Sequence, residues 1–198
     1  MLYFMFNKPP DCVTARSDEV HRTVMDYFPP ELAAVLHPVG RLDKDTCGLL
    51  ILTDDGYLDQ KIMQPGRHVG KTYFFYALGK MDAEKKYSLE KGIAMADFTT
   101  GSAEFRLIKE YRIRELEPFM PPERRDRYMK NPEGVAFSGT LRVCEGRKHE
   151  VKRMLEAVGC RIFYLRRDSI GDLKLDEALK PGEYRQLTEA ELSLLCCE

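Results

Sequence analysis

Long apolar runs are missing from this 198-residue chain. None reaches the roughly 18–20 residues that span a bilayer, so no membrane partner is expected. The opening residues, Met1 to Lys8, are apolar but lack a basic lead and a small-residue cleavage site. They read as a first strand and not as a signal peptide. Paired cysteine spacing is missing too. Cys12, Cys47, Cys144, Cys160, Cys196 and Cys197 show neither zinc nor redox spacing, and adjacent Cys196 and Cys197 make a poor disulfide. Six reduced thiols in a cytoplasmic protein is the expectation. Histidine is scarce: His21, His37, His68 and His149 are scattered and form no ligand set. Net charge is only −1, which excludes an overall field for a polyanion. There is no internal repeat and no low-complexity tract.

What is present is an ordinary globular composition, 43% hydrophobic and 32% charged, on a chain long enough to bury a core. Basic residues crowd the second half, from Arg112 to Arg167, with acidic residues interleaved. Charge alone leaves two readings open, a solvated salt-bridged surface or an RNA contact.

Leu2 to Phe6 is a β-prone segment that Asn7-Lys8-Pro9-Pro10 should stop. Thr23 to Phe28 suits a short helix. Gly48 to Thr53 is a continuous apolar run of strand length and predicts a buried strand. Asp54-Asp55-Gly56 then suits the start of a helix over Tyr57 to Met63. Lys71 to Leu78 is an aromatic strand. Its alternation places Tyr73 and Phe75 on one face and Phe74 and Tyr76 on the other, so that one face can be site and the other core. Asp82 caps a helix ending at Gly92. Strands are expected at Ala103 to Glu110, Val135 to Cys144 and Arg161 to Leu165, with an irregular excursion from Leu116 to Asn131. Val151, Met154, Leu155 and Val158 recur at helical spacing within Lys148 to Val158. Thr188 and Glu191 match a capping box that opens a last helix through Leu195. Many strands with a few inserted helices predict an α+β fold, a largely antiparallel mixed sheet with flanking helices. The whole chain reads as one domain, with a small subdomain over residues 1–66 and a larger one over residues 67–198.

The densest chemistry is in Gly40-Arg41-Leu42-Asp43-Lys44-Asp45-Thr46-Cys47-Gly48. Polar side chains sit between two glycines directly before the buried strand, where a rigid sheet can hold a reactive loop. A turn rich in local hydrogen bonds is the alternative. Asp43, Asp45, Gly48 and Asp54 also fall at positions 1, 3, 6 and 12 of a calcium-loop template. Cys47 at position 5, an Asp in place of the bidentate Glu, and strand-like flanks argue against calcium.

The stretch from Gly40 to Gly56, GRLDKDTCGLLILTDDG, resembles the signature of RNA pseudouridine synthases. The similarity is to the branch that modifies single sites in small- and large-subunit ribosomal RNA. Lys71-Thr72-Tyr73, Glu145 to Gly159, Leu165 to Gly171 and Leu179 to Arg185 match further family segments in the expected order. The resemblance implies that Asp43 is the catalytic nucleophile and that Arg41 helps hold RNA or orient the loop. It implies that Tyr73 packs on the target base and that Lys152 pairs with Asp43. Leu165 falls in a substrate-binding segment. Glu150 departs from the pattern, standing where the family has Gln. The relatives often begin with a small RNA-binding domain, and this chain is expected to lack it. Leu2 to Val39 is closer to the small-subunit enzymes, whereas Gln64-Pro65-Gly66 is similar to the large-subunit ones.

Isomerising uridine breaks a C–N bond and forms a C–C bond to the same ribose. No redox change occurs and no group is added, so neither cofactor nor metal is expected. A carboxylate can act as nucleophile or base. Burial alone would raise its pKa, so a nearby cation is needed, and Lys152 is the candidate. A stacked uracil must be flipped out of its RNA stem-loop at a cost of a few kcal/mol. Arg41, Arg147, Lys148 and Arg167 are expected to line the RNA track and meet that cost through phosphate contacts. Two other classes stay open from residues alone. One is a glycoside or nucleoside hydrolase pairing Asp43 with Asp45 or Asp54. The other is a non-catalytic RNA-binding module. A monomer is the default.

Overall fold

A computed structural model of the chain describes residues 1–63 and 69–196. Gln64 to Gly66, His68 and Cys197 lie outside the described residues. The chain divides into two compact units: Met1–Lys71 with Arg166–Glu198, and Thr72–Leu165. This differs from the division expected near residue 66. The C-terminal segment rejoins the first unit because Tyr184–Gln186 pairs with the first strand, a non-local pairing that spacing along the chain does not reveal.

The first unit is built on β1 (Tyr3–Lys8), β2 (His37–Val39) and β3 (Cys47–Thr53). All seven residues of β3 are buried. Such a run needs neighbours on both edges and cover on both faces. β1 pairs with it antiparallel from Tyr3↔Thr53 to Lys8↔Gly48. Parallel to it runs the second half of β7 (Arg161–Ile170), through Cys47↔Arg166 and Gly48↔Arg167. β2 pairs antiparallel with β3, β8 (Leu173–Lys174) with β7, and β9 (Tyr184–Gln186) with β1. Met5, Leu49, Ile51, Leu58, Ile62, Ile170 and Leu195 share one core.

Helices close this unit. Thr23 caps a 3₁₀ turn, Val24–Tyr27, where an ordinary short helix is expected from sequence. Pro30 opens α1 (Pro30–Val35), which periodicity does not reveal. Asp55 caps α2 (Gly56–Met63), its carboxylate accepting the Tyr57 and Leu58 N–H groups. The helix α6 of this unit is Glu189–Cys196, opened by the expected capping box: the Glu191 N–H donates to Thr188 Oγ1, and the Thr188 N–H donates to Glu191 Oε2.

In the second unit the strand order is β5 (Glu104–Arg112), β6 (Val135–Val143), β4 (Lys71–Leu78) and the first half of β7. α3 (Ala83–Lys91) and α5 (Glu150–Ala157) accompany them. Phe75, Phe105, Phe137, Leu141, Val151, Met154 and Leu155 form one core, joined by half-buried Tyr73. A second cluster gathers Ile113, Leu116, Met120, Tyr128 and Phe163 with Tyr76. The stretch read as irregular is therefore an apolar cover, made of a 3₁₀ segment (Ile113–Phe119) and α4 (Pro122–Tyr128). Proline at the first helical position lets α4 form without losing a hydrogen bond. Both faces of β4 carry packed residues, Phe75 with half-buried Tyr73 in the first cluster and Tyr76 with Leu78 in the second.

Candidate active site

The Gly-Arg-Leu-Asp segment lies between β2 and β3, and its backbone is fastened by the residues that follow β1. β1 delivers Lys8 opposite Gly48, at the start of β3. Lys8 has no exposed surface. Its ammonium donates to the carbonyl oxygens of Thr46 at 2.8 Å, Pro9 at 3.0 Å and Lys44 at 3.2 Å. Three acceptors match the three donors of an ammonium. Burial pulls the Lys8 pKa below the ordinary lysine value, and the neighbouring Cys12, Cys47, Asp45 and Asp43 partly offset that. Lys8 is a cation whose field reaches Asp43, and sequence reasoning passed over it. In the sequence Lys8 stands out only as part of a strand stop. A lysine closing an apolar strand before two prolines was the available signal, but two of its three acceptors come from residues 36 and 38 positions away.

Asp43 is half-buried, and its own carbonyl accepts the Thr46 N–H at 3.1 Å. Arg41 is exposed two residues earlier, as an RNA-holding side chain would need to be. Gly48 follows with φ +100°, and a Cβ there would lie 2.3 Å from the Arg167 carbonyl oxygen. Only glycine allows β3 and β7 to approach so closely. Arg167 itself is 3% exposed. Its Nε donates to the Leu49 carbonyl at 2.8 Å. That corrects its assignment to a surface RNA track, because the strand pairing that places it beside Gly48 turns the guanidinium inward. Asp54, one proposed partner carboxylate of a hydrolase, accepts the Leu2 N–H at 2.6 Å.

The other candidates belong to the second unit. Tyr73 is half-buried on β4, on the same face as Phe75. Leu165 is 5% exposed in the same core. Lys152 is half-buried on α5. Glu150, at the first turn of α5, is buried, and its carboxylate accepts the Arg147 N–H at 3.3 Å. An amide oxygen in Gln could accept that bond equally well. Arg147 and Lys148 are exposed. Arg147 stacks on Phe98, 4.4 Å from the ring centroid, and its Nε donates to Glu145 at 2.9 Å. Arg153 covers the same ring and forks onto Asp97. Among the described residues no group of three His, Cys, Asp or Glu side chains is arranged to hold a metal ion.

A half-buried carboxylate on a tightly fastened loop, in the field of a buried ammonium, suits nucleophilic chemistry. Comparison with known proteins decides which chemistry. Residues 2–157 match the family model described as RNA pseudouridylate synthase. The chain belongs to the RNA pseudouridylate synthase family. The synthase is 37% identical over 195 residues to ribosomal small subunit pseudouridine synthase A of Haemophilus influenzae, spanning 98% of this chain and 73% of that one. An uncharacterised RNA pseudouridine synthase of Bacillus subtilis is 37% identical with the same coverage. Small subunit synthase A of Escherichia coli is 36% identical over 194 residues, covering 96% of this chain and 72% of its own. A pseudouridylate synthase crystal structure superposes with a TM-score of 0.81 at 33% identity, covering 98% of this chain and 73% of that one. Human RNA pseudouridylate synthase domain containing 1 shares the fold at a TM-score of 0.54 and 11% identity, covering all of this chain and 92% of that one. The protein is therefore an RNA pseudouridine synthase, and the hydrolase and binding-module readings give way.

Proposed function

We propose that the synthase converts one uridine of a ribosomal RNA stem-loop to pseudouridine, with Asp43 as the nucleophile, in the cytoplasm and as a monomer. The observation that carries this reading is the fastening of the Gly-Arg-Leu-Asp segment: Asp43 is half-buried, and the carbonyls of Lys44 and Thr46 are tied to the Lys8 ammonium. Rigid presentation of a nucleophile in attack geometry is a large contribution a protein can make to a reaction that uses no added group. Similarity to small subunit synthases from two bacteria supports small-subunit ribosomal RNA as the substrate. Arg41 and Lys148, both exposed cations, and Arg147, held over the Phe98 ring, are assigned to the RNA backbone. Tyr73, Lys152 and Leu165 are assigned to the substrate nucleotide, on the resemblance of their segments to the family pattern.

The test uses ribosomal RNA from cells lacking the protein. Carbodiimide mapping should show one or a few pseudouridines missing from the small-subunit RNA. Wild type should restore them and Asp43→Ala should not. Restoration by Asp43→Ala would remove Asp43 from the mechanism, and loss from large-subunit RNA alone would reassign the substrate.

A further inference from the structure

Residues 9–23 form an excursion between β1 and the Val24–Tyr27 turn, and its first part is docked on the segment that carries Asp43. The Asp11 N–H donates to the Lys44 carbonyl at 2.8 Å. Thr14 makes a two-way bridge to Leu42: its hydroxyl donates to the Leu42 carbonyl at 2.8 Å and accepts the Leu42 N–H at 3.1 Å. Thr14 is 4% exposed and Leu42 6%, so neither backbone group of Leu42 has ready access to water. A hydroxyl can donate and accept at one oxygen, which aliphatic side chains cannot do. Leu42 is the residue before Asp43. On the other side, the Asp43 carbonyl accepts the Thr46 N–H. The peptide groups on both sides of Asp43 are thereby held.

We propose that Thr14 is a positioning residue for Asp43. Its hydroxyl fixes the peptide groups of Leu42, and with them the direction in which the carboxyl of Asp43 is presented. The inference rests on the reading of Asp43 as nucleophile. Thr14 touches no reacting atom. It acts because the Leu42 carbonyl and the Asp43 nitrogen share one rigid peptide plane. Turning that plane turns the Cα–Cβ bond of Asp43. A displacement of about 1 Å at a reacting group can cost roughly 100-fold in rate. The bridge is local to this loop, so its loss should reach the carboxyl before it reaches RNA affinity.

Thr14→Val keeps the side-chain shape and removes both hydrogen bonds; Thr14→Ser keeps the hydroxyl. Both are assayed beside wild type and Asp43→Asn for pseudouridine formation in ribosomal RNA extracted from cells lacking the protein. Thr14→Val, shown to be folded by circular dichroism, should lose about 10- to 100-fold in kcat with KM unchanged. Thr14→Ser should keep wild-type kcat, and amide exchange at Leu42 should speed up in the Val variant alone. A purely structural role would lower the melting temperature without separating kcat from KM. Wild-type kcat in folded Thr14→Val overturns the proposal. Should Thr14→Val not fold, Thr14→Ser decides: wild-type kcat supports the role of the hydroxyl, and a tenfold loss overturns it. Asp43→Asn tests the underlying reading separately. If it is as active as wild type, the nucleophile assignment fails whatever Thr14 shows.

Discussion

The ammonium of Lys8 lies 2.8 Å from the carbonyl oxygen of Thr46, on a side chain with no exposed surface. Two opposing terms follow from that burial. A lysine whose folded pKa is lowered costs stability at neutral pH, and the cost is relieved only as pH rises toward the unfolded value. Against this, the ammonium satisfies the carbonyls of Pro9, Lys44 and Thr46. Each buried acceptor left unpaired costs about 1–3 kcal/mol, and removing the ammonium would leave three of them without their donor. Lys8→Met should therefore destabilise the fold by roughly 3 kcal/mol and reduce activity with it. Urea unfolding at pH 7 measures this, and a loss under about 1 kcal/mol would mean that water replaces the ammonium.

Gly48 supplies a second prediction from the same corner of the fold. Its φ of +100° is strained for any residue with a Cβ, and that Cβ would meet the Arg167 carbonyl oxygen at 2.3 Å and its nitrogen at 2.8 Å. Both atoms are backbone, so neither can swing aside. Gly48→Ala should cost about 3 kcal/mol or more, since strain and overlap add. Thermal melting reads the loss directly. A melting temperature within a degree or two of wild type, at roughly 0.5 kcal/mol, would show that the β3–β7 approach is looser than described.

These two residues show how far the sequence could be read. Gly48 and Asp43 sit in one continuous motif, so local spacing and family resemblance found the loop. β3 was legible because the apolar run from Gly48 to Thr53 has few other uses, and β4 because the consecutive aromatic residues Tyr73 to Tyr76 favour a strand. Lys8, Thr14 and Arg167 were misread or missed because their partners are distant in sequence. Thr14 meets a residue 28 positions away and Arg167 one 118 positions away. A charged side chain is taken as exposed until strand pairing shows otherwise, and that is how Arg167 was placed on a surface it does not reach. The C-terminal segment was assigned to the second subdomain for the same reason: β9 is three residues long and carries no periodicity of its own.

The ion cluster that closes the first unit gives a pH dependence. Arg185 donates to both carboxylate oxygens of Glu191, at 2.9 and 2.7 Å, and to Asp176 at 2.7 Å. The hydrogen bonds from Arg185 hold the Glu191 pKa down to about 2, with the Thr188 contacts adding to it. A carboxylate whose folded pKa is depressed contributes stability that is present above the unfolded value and lost as pH falls through the folded one. Glu191 should thus contribute at neutral pH and progressively less from about pH 4.5 down to about pH 2. Solvent screening of this partly exposed pair reduces the effect to the order of 1 kcal/mol. Glu191→Gln should lower the urea midpoint at pH 6 and leave it little changed at pH 2.5. Equal losses at both pH values would mean that the side chain acts through packing and not through charge.

Arg147 and Lys148 are neighbours in sequence but differ in what already holds them. Arg147 is paired with Glu145 and stacked on Phe98, so its charge is partly neutralised before RNA arrives. Lys148 is exposed on the same loop. Each phosphate neutralised by a cation adds about 0.7–0.9 to the slope of log K against log salt concentration. Lys148→Ala should therefore reduce that slope by about one such increment. Arg147→Ala should reduce it by less, because Glu145 already neutralises part of the Arg147 charge. Glu145→Gln should tighten RNA binding at low salt, and Arg147→Ala added to it should then produce the full increment. Filter binding or fluorescence anisotropy across a salt series, with ribosomal RNA stem-loops as the ligand, measures the four variants beside wild type. Equal slopes for Lys148→Ala and wild type would take this loop off the RNA.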